Sequence, residues 1–409
     1  MPNQHQLMKG YLVMFKNVQT APADPILGLT EAFNADSNPD KINLSVGVYK
    51  DATGKTPVLE TVKEAEKRII EQESSKGYLP MTGEPLYCAK VQELMFGEDH
   101  EIIIEKRAAT AQCPGGTGAL RVAGDYLHTL HPDSTLWLSD PTWANHNTIF
   151  AAAGVTCKKY AYRDPKTNGL DFDAMYESIK KIPKGDVILL HGCCHNPTGI
   201  DPTPEQWGKL GDLLAQQGVL PLVDFAYQGL ANGIEDDRAG LLELTKKVKQ
   251  MAICSSFSKN FGLYRERTGA LTVVGENAEQ VATVMSQVKL RIRYNYSNPP
   301  SHGAQIVATV LSDKELKAKW IEEVADIRNR INEMRHLFVK TLKEKGVTQD
   351  FSSIIEQRGM FSFSGLTKEQ VDRLREEYSI YIVGSGRINV AGMTPTNMPR
   401  LCEAIKSVL

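Results

Sequence analysis

Between Thr110 and Val274, short runs rich in apolar and β-branched residues recur, separated by longer stretches with helical periodicity. That alternation is the pattern of parallel strands joined by crossover helices, because parallel neighbours cannot be linked by a tight turn. The runs are Thr135-Leu136-Trp137-Leu138-Ser139, Thr156 to Tyr160, Val187 to His191, Leu220 to Asp224, Met251 to Ser256 and Gly269 to Val274. The spacing predicts an α/β core. Open α/β sheets gather ligands at the carboxyl ends of their strands, so the polar residues just after these runs are the first candidates for a site.

A chain of 409 residues exceeds one ordinary core, and a large and a small domain are expected. From Asp313 to Lys345, Leu316, Trp320, Val324, Ile327 and Ile331 form one apolar stripe at helical intervals, which predicts a single long helix. Gly359 to Ser364 alternates as a strand does, Lys368 to Tyr378 reads as a helix, and Ile380 to Val383 as another strand. These elements predict a smaller α+β domain, with its boundary near residues 320 to 330 in the long helix. Met1 to Val13 fits neither a secretory signal nor an Arg-rich transit peptide and reads as an extension or leader.

A net charge of -2 with no long basic run argues against a nucleic-acid partner, and no apolar run reaches transmembrane length. The seven cysteines, at 88, 113, 157, 193, 194, 254 and 402, form no CxxC pair and sit mostly in apolar segments. They read as free core thiols in a reducing cytoplasm. Cys193-Cys194-His195 invites a metal reading. Vicinal side chains on a strand point to opposite faces, however, and no second ligand pair follows, so no metal is expected.

The chemistry concentrates after the strands. Ser255-Ser256-Phe257-Ser258-Lys259-Asn260-Phe261-Gly262 sets one lysine among hydroxyl residues directly after an apolar run. A lysine at a strand end inside a pocket can have the depressed pKa and fixed approach that a Schiff-base nucleophile needs. Arg267 follows eight residues later and suits a phosphate. A lysine with a phosphate clamp suggests pyridoxal phosphate. Asp224 closes another strand, where a buried carboxylate could pair with a protonated pyridine nitrogen or equally serve as a helix N-cap. Tyr227 lies three residues on and could reach the ring's phenolic oxygen.

Gly115-Gly116-Thr117-Gly118-Ala119-Leu120 opens a helical pattern whose amides could hold a phosphate. The dinucleotide spacing GxGxxG is absent, which disfavours nicotinamide. Trp143, in Asp140-Pro141-Thr142-Trp143-Ala144-Asn145-His146, could stack on a flat cofactor or fill a core. Asn196, in the Asn196-Pro197 turn, can aim an amide at the same crevice or serve only the turn. Arg293 and Arg387 could each clamp a carboxylate or make a surface ion pair.

Taken together, these residues closely resemble the aspartate aminotransferases, fold-type I pyridoxal-phosphate enzymes of the aspartate and aromatic subfamily. The resemblance covers residues 15 to 409 and rests on Ala23-Asp24-Pro25-Ile26-Leu27, Gly115 to Leu120, His195 to Gly199, Asp224 to Gly229, Ser258 to Leu263 and Asn295 to Pro300. It implies a mostly parallel seven-stranded sheet with flanking helices, over residues 59–325. A smaller α+β domain would be built from 14–58 and 326–409, after a leader at 1–13.

The resemblance further implies that Lys259 forms the internal aldimine and shuttles a proton between substrate Cα and cofactor C4′. Asp224 would keep the pyridine nitrogen protonated, supported by His146. Tyr227 and Asn196 would hydrogen-bond the ring oxygen, and Trp143 would stack on the ring. Gly115, Gly116, Thr117, Ser256 and Arg267 would hold the phosphate, joined by Tyr78 of a neighbouring subunit. Arg387, with the backbone at Gly47, would bind the substrate α-carboxylate, and Arg293 of the other subunit the distal one. A homodimer with two shared sites follows, running L-aspartate:2-oxoglutarate transamination by a ping-pong route. Tyr78-Leu79-Pro80-Met81 resembles the aromatic branch, whereas Lys50, Thr117 and Asn298 lean toward the aspartate branch. An aromatic or dual-specificity aminotransferase is the alternative within the class, and a non-catalytic pyridoxal-phosphate-binding protein the alternative outside it.

Overall fold

In chain order the strands of this computed structural model are β1 Ile42–Asn43, β2 Ala108–Pro114, β3 Thr135–Asp140, β4 Thr156–Ala161, β5 Val187–His191 and β6 Leu220–Phe225. They continue with β7 Met251–Ser256, β8 Thr268–Val274, β9 Phe361–Phe363, β10 Ile380–Tyr381 and β11 Arg387–Asn389. The structure describes residues 15, 18–21 and 27–409. The expected leader at 1–13 and the run Ala23 to Ile26 lie outside them. No helix among the described residues is long and apolar enough to cross a membrane.

Seven strands form one sheet in the order β2-β8-β7-β6-β5-β3-β4. Strands β3 to β7 pair in parallel, and β8 runs against both of its neighbours. All five residues of β5 and all seven of β8 are buried. Helices cover both faces of such a sheet, which is why its inner strands read as unbroken apolar runs instead of alternating ones. Every run expected between residues 135 and 274 is a strand, but the last one departs from the crossover pattern. Only residues 257–267 separate β7 from β8, too few for a crossover helix, so β8 returns antiparallel. That short link carries both Lys259 and Arg267.

The helix Lys314–Glu344 buries the expected stripe of Leu316, Trp320, Val324, Ile327 and Ile331. Asp313 caps it by accepting the N–H groups of Glu315 and Leu316. Beyond it, β9 pairs antiparallel with β11 and β10 pairs parallel with β1. The run expected over 380–383 is a strand only at Ile380–Tyr381, because β1, its partner, is itself two residues long.

The reasoning against a metal needs correction. Cys193 and Cys194 lie beyond the end of β5, and Cys194 adopts a φ of 51°, so the alternation of a strand does not govern them. Their sulfurs and a carboxylate oxygen of Asp237 come within 4.8 Å of one another. The Asp237 carboxylate is already occupied: it accepts N–H groups from Gly229, Ala231, Asn232 and Gly233. Burial holds both thiols in their protonated form. Asp237 thus builds the turn after β6.

Where β2 meets β8, backbone approaches backbone. A Cβ at Gly269 would lie 2.4 Å from the carbonyl carbon of Gly115 and 2.8 Å from the nitrogen of Gly116. Neither can yield without parting the strands. Gly269→Ala should therefore destabilise the fold by about 1–3 kcal/mol, read as a lower urea midpoint. An unchanged midpoint would contradict this close approach.

Candidate active site

Parallel strands bring the polar residues at their carboxyl ends to one crevice, where a cavity of about 430 Å³ opens. Lys259 reaches it from the link after β7, with Nζ 4.7 Å from the centroid of the Tyr227 ring. Burial lowers the lysine pKa to about 8; the charge of Arg267 acts in the same direction and Asp224 opposes it. At that pKa roughly a tenth of the amine is neutral at pH 7, far more than for an ordinary lysine, which suits a nucleophile.

Asp224 lines the same cavity from the end of β6. Burial works against its charge. The hydrogen bond from His146 and the positive charge of Lys259 outweigh it, and the carboxyl is held below its usual range. His146 Nε2 lies 2.9 Å from Asp224 Oδ2, and His146 Nδ1 2.8 Å from Thr142 Oγ1. Thr142 Oγ1 lies 3.1 Å from His191 Nε2, and His191 Nδ1 accepts a long bond, 3.5 Å, from the backbone N–H of Asn196. That N–H can only donate, so the sense of the whole chain follows. His191 donates to Thr142, Thr142 to His146, and His146 to Asp224. Burial and the nearby His146 push the His191 pKa down to about 3, which suits the neutral form this sense requires.

The helix Gly115–Leu130 begins at the far end of the cavity without a side-chain cap, leaving first-turn amides available. Gly115 has a φ of 76°, and a Cβ there would meet Arg267 Nη2 at 2.4 Å. Gly116, Thr117, Ser256, Ser258 and Arg267 line this end together. Ser256 Oγ donates to Ser258 Oγ at 3.3 Å, and the Arg267 guanidinium bonds through Nη1 to the backbone oxygen of Tyr264. Helix amides, two hydroxyls and a cation form a donor set for a dianion. Trp143 provides an aromatic wall. These residues fit a flat cationic ring carrying a phosphate, with the ring nitrogen toward Asp224.

Gly47 and Asn196 also line the cavity. Asn196 Nδ2 donates to the Tyr227 hydroxyl at 3.3 Å. Behind it Arg387, 4% exposed, donates to the Ser45 backbone oxygen at 2.5 Å and to Asn196 Oδ1 at 3.4 Å, while its Nε has no partner. Burial lowers its pKa to about 10, well above neutrality. A buried guanidinium with an unspent donor can receive a carboxylate.

Ten of the expected residues thus line one cavity: Gly47, Gly116, Thr117, Trp143, Asn196, Asp224, Tyr227, Ser256, Lys259 and Arg267. His146, Gly115 and Arg387 stand directly behind them. Tyr78, 96% exposed, and the exposed Arg293 are not brought to it within this chain. The sequence reading left Ser258, Tyr264, Thr142 and His191 without roles. Ser258 adjoins Lys259, and Thr142 and His191 belong to strand-end runs already singled out, which was their available signal. Tyr264 faces the cavity and accepts the Tyr49 N–H at 3.1 Å.

Because the neutral amine is the nucleophile, capture of pyridoxal phosphate by the apoprotein should rise with pH through a midpoint near 8. A midpoint near the ordinary lysine value of about 10.4 would contradict the buried setting.

The family model for aminotransferase class I and II matches residues 39–405. An aspartate aminotransferase of Salmonella typhi is 57% identical over 97% of this chain and 100% of its own length. An aromatic-amino-acid aminotransferase of Pseudomonas aeruginosa is 46% identical over 96% of this chain and 98% of its own. The crystal structure of an aromatic-amino-acid aminotransferase from Burkholderia pseudomallei, covalently bound to pyridoxal phosphate, superposes with a TM-score of 0.94 at 47% identity. It covers 97% of this chain and 99% of that one. The family model spanning most of the chain, with the identity to these relatives across nearly their whole length, places the chain in the class I and II aminotransferase family.

Proposed function

We propose that the chain transfers the amino group between L-aspartate and 2-oxoglutarate, giving oxaloacetate and L-glutamate, by a ping-pong mechanism with pyridoxal phosphate. The observation that carries this reading is Lys259, an amine of depressed pKa between Tyr227 and Asp224, in a cavity with a dianion site at one end. When bound, pyridoxal phosphate supplies an electron sink for negative charge at the substrate Cα. Lys259 would hold the cofactor and would carry the proton taken from substrate Cα. Asp224, steadied by His146, keeps the ring nitrogen protonated. Tyr227 and Asn196 hydrogen-bond the ring oxygen, and Trp143 packs on the ring. Gly115, Gly116, Thr117, Ser256 and Arg267 hold the phosphate, while Arg387 and the Gly47 backbone bind the α-carboxylate.

Tyr78 and Arg293 complete the site from a second copy in a homodimer, Tyr78 on the phosphate and Arg293 on the distal carboxylate. Their exposure in the single chain supports this. The chain divides into a large unit over 59–325 and a smaller one from 14–58 and 326–409, whose closure excludes water from the reacting atoms. It works in the cytoplasm, consistent with seven free cysteines, five of them buried.

Aspartate is favoured over aromatic substrates by the 57% identity to an aspartate enzyme against 46% to an aromatic one. Lys50, Thr117 and Asn298 point the same way. Aromatic activity is the second reading, favoured by Tyr78-Leu79-Pro80-Met81. A non-catalytic binder is disfavoured by the joint presence of Lys259, Asp224 and Arg387. Half-reactions of the holoenzyme with aspartate, phenylalanine and alanine decide among these, and absence of amino transfer from all three would overturn the proposed activity.

Two substitutions probe the roles. Lys259→Ala should lower steady-state transamination by at least about a thousandfold, since it removes both the attachment and the base. Turnover near the wild-type level would remove Lys259 from the mechanism. Arg293→Asp should reduce kcat/KM for aspartate about a hundredfold more than for phenylalanine, because it sets a like charge against the distal carboxylate. Equal losses would show that Arg293 does not read that carboxylate.

A further inference from the structure

The turn that carries Lys259 is held from behind by the long helix Lys314–Glu344. Trp320, fully buried in the second turn of that helix, donates from Nε1 to the backbone oxygen of Asn260 at 2.8 Å. Asn260 is the residue after Lys259. The indole also stacks on Phe261, with centroids 4.5 Å apart and planes 23° apart. A second tie comes from the Asn260 side chain, whose Nδ2 donates to the Gln228 backbone oxygen at 3.1 Å, one residue past Tyr227.

The same helix reaches the substrate side. Arg335, 1% exposed, donates to the backbone oxygens of Gly359 at 2.6 Å and Phe361 at 3.0 Å. The Phe361 ring lies 4.3 Å from the Arg387 guanidinium. Fifteen residues of helix place the α-carbons of Trp320 and Arg335 about 22 Å apart along one axis. One element therefore grips the peptide following the lysine and the strand beneath the carboxylate receptor.

We propose that Trp320 is a positioning residue for Lys259, using its indole N–H to register the lysine-bearing peptide against the helix that also supports Arg387 through Arg335. This rests on the reading of Lys259 as the cofactor lysine. The physical need is direct. A lysine side chain has four rotatable carbons and little direction of its own, so the approach of its amine depends on where the backbone is fixed. Stacking on Phe261 confines the indole to a plane but leaves sliding within it. The Nε1 hydrogen bond removes that freedom and sets the height of the Asn260 peptide.

The test separates the hydrogen bond from the packing. Trp320→Phe keeps an aromatic ring against Phe261 and deletes the N–H; Phe261→Leu keeps the N–H and deletes the stack. Two quantities are read in each: the pH midpoint for capture of pyridoxal phosphate by the apoprotein, and the pH midpoint of the bound cofactor's absorbance in the holoenzyme. Trp320→Phe should raise the first by roughly half to one pH unit, as the amine gains access to water, and should shift the second. Phe261→Leu should lower the melting temperature without moving either midpoint. Unmoved midpoints in a folded Trp320→Phe protein would overturn the proposal, as would equal shifts in both variants. If Trp320→Phe does not fold, Trp320→Tyr, another ring without the indole N–H, must raise the capture midpoint too, and no rise would overturn the proposal. A wild-type cofactor band that survives in Lys259→Ala would overturn the reading of the site itself. A band lost in Lys259→Ala but unshifted in Trp320→Phe would remove only the role of Trp320.

Discussion

Asp224 sets a carboxylate at the buried end of β6, where separation from water works against its charge. What keeps it ionised is the hydrogen bond from His146 at 2.9 Å together with the nearby ammonium of Lys259. The lysine in turn owes its depressed pKa to the same burial, so neither group can be understood without the other. The chain from Asn196 through His191, Thr142 and His146 aligns its donors toward Asp224, and it links the loop after β3 to the loop after β5. A carboxylate held charged in this way can hold a proton on a ring nitrogen opposite it.

The sheet makes this possible through two topological facts. Parallel pairing of β3, β5, β6 and β7 delivers their carboxyl ends, and so Thr142, Asn196, Asp224 and Ser256, to one edge. The antiparallel return of β8 brings Thr268 opposite Pro114, at the start of the helix Gly115–Leu130. That return sets Arg267 against the uncapped amides. The lysine and the arginine of the dianion site thus belong to one eleven-residue link, closed at one end by β7 and at the other by β8. The long helix adds a third constraint from behind, through Trp320 and Arg335.

Much of the fold was legible because burial on both faces leaves a mark in composition: β5 and β8 are continuous apolar runs, and the stripe from Leu316 to Ile331 keeps helical spacing. The short strands β1 and β11 left little mark, and β10 was legible only inside the longer run expected over 380–383. Two or three residues carry no usable period, and β1 and β10 pair across almost the whole chain. Site residues were legible where they follow a strong strand, as Asp224 and Lys259 do. Thr142 and His191 escaped because a hydroxyl and an imidazole near a turn have many ordinary uses, and only their distances reveal the relay. Cys193 and Cys194 were misread as strand neighbours because nothing in the residue letters signals the positive φ of Cys194.

The sequence by itself determined an α/β core, the strand-end positions of the reactive groups, and the nearness of a lysine to an arginine in one short link, since these follow from periodicity and local order along the chain. Only the tertiary structure decided which side chains meet. It placed His146 on Asp224, left Arg387 buried with a free Nε, set Trp320 against the peptide after Lys259, and kept Tyr78 and Arg293 at the surface. The reason is physical: desolvation, hydrogen-bond direction and close packing depend on distances in space, and residues far apart in sequence carry no record of them until the chain has folded.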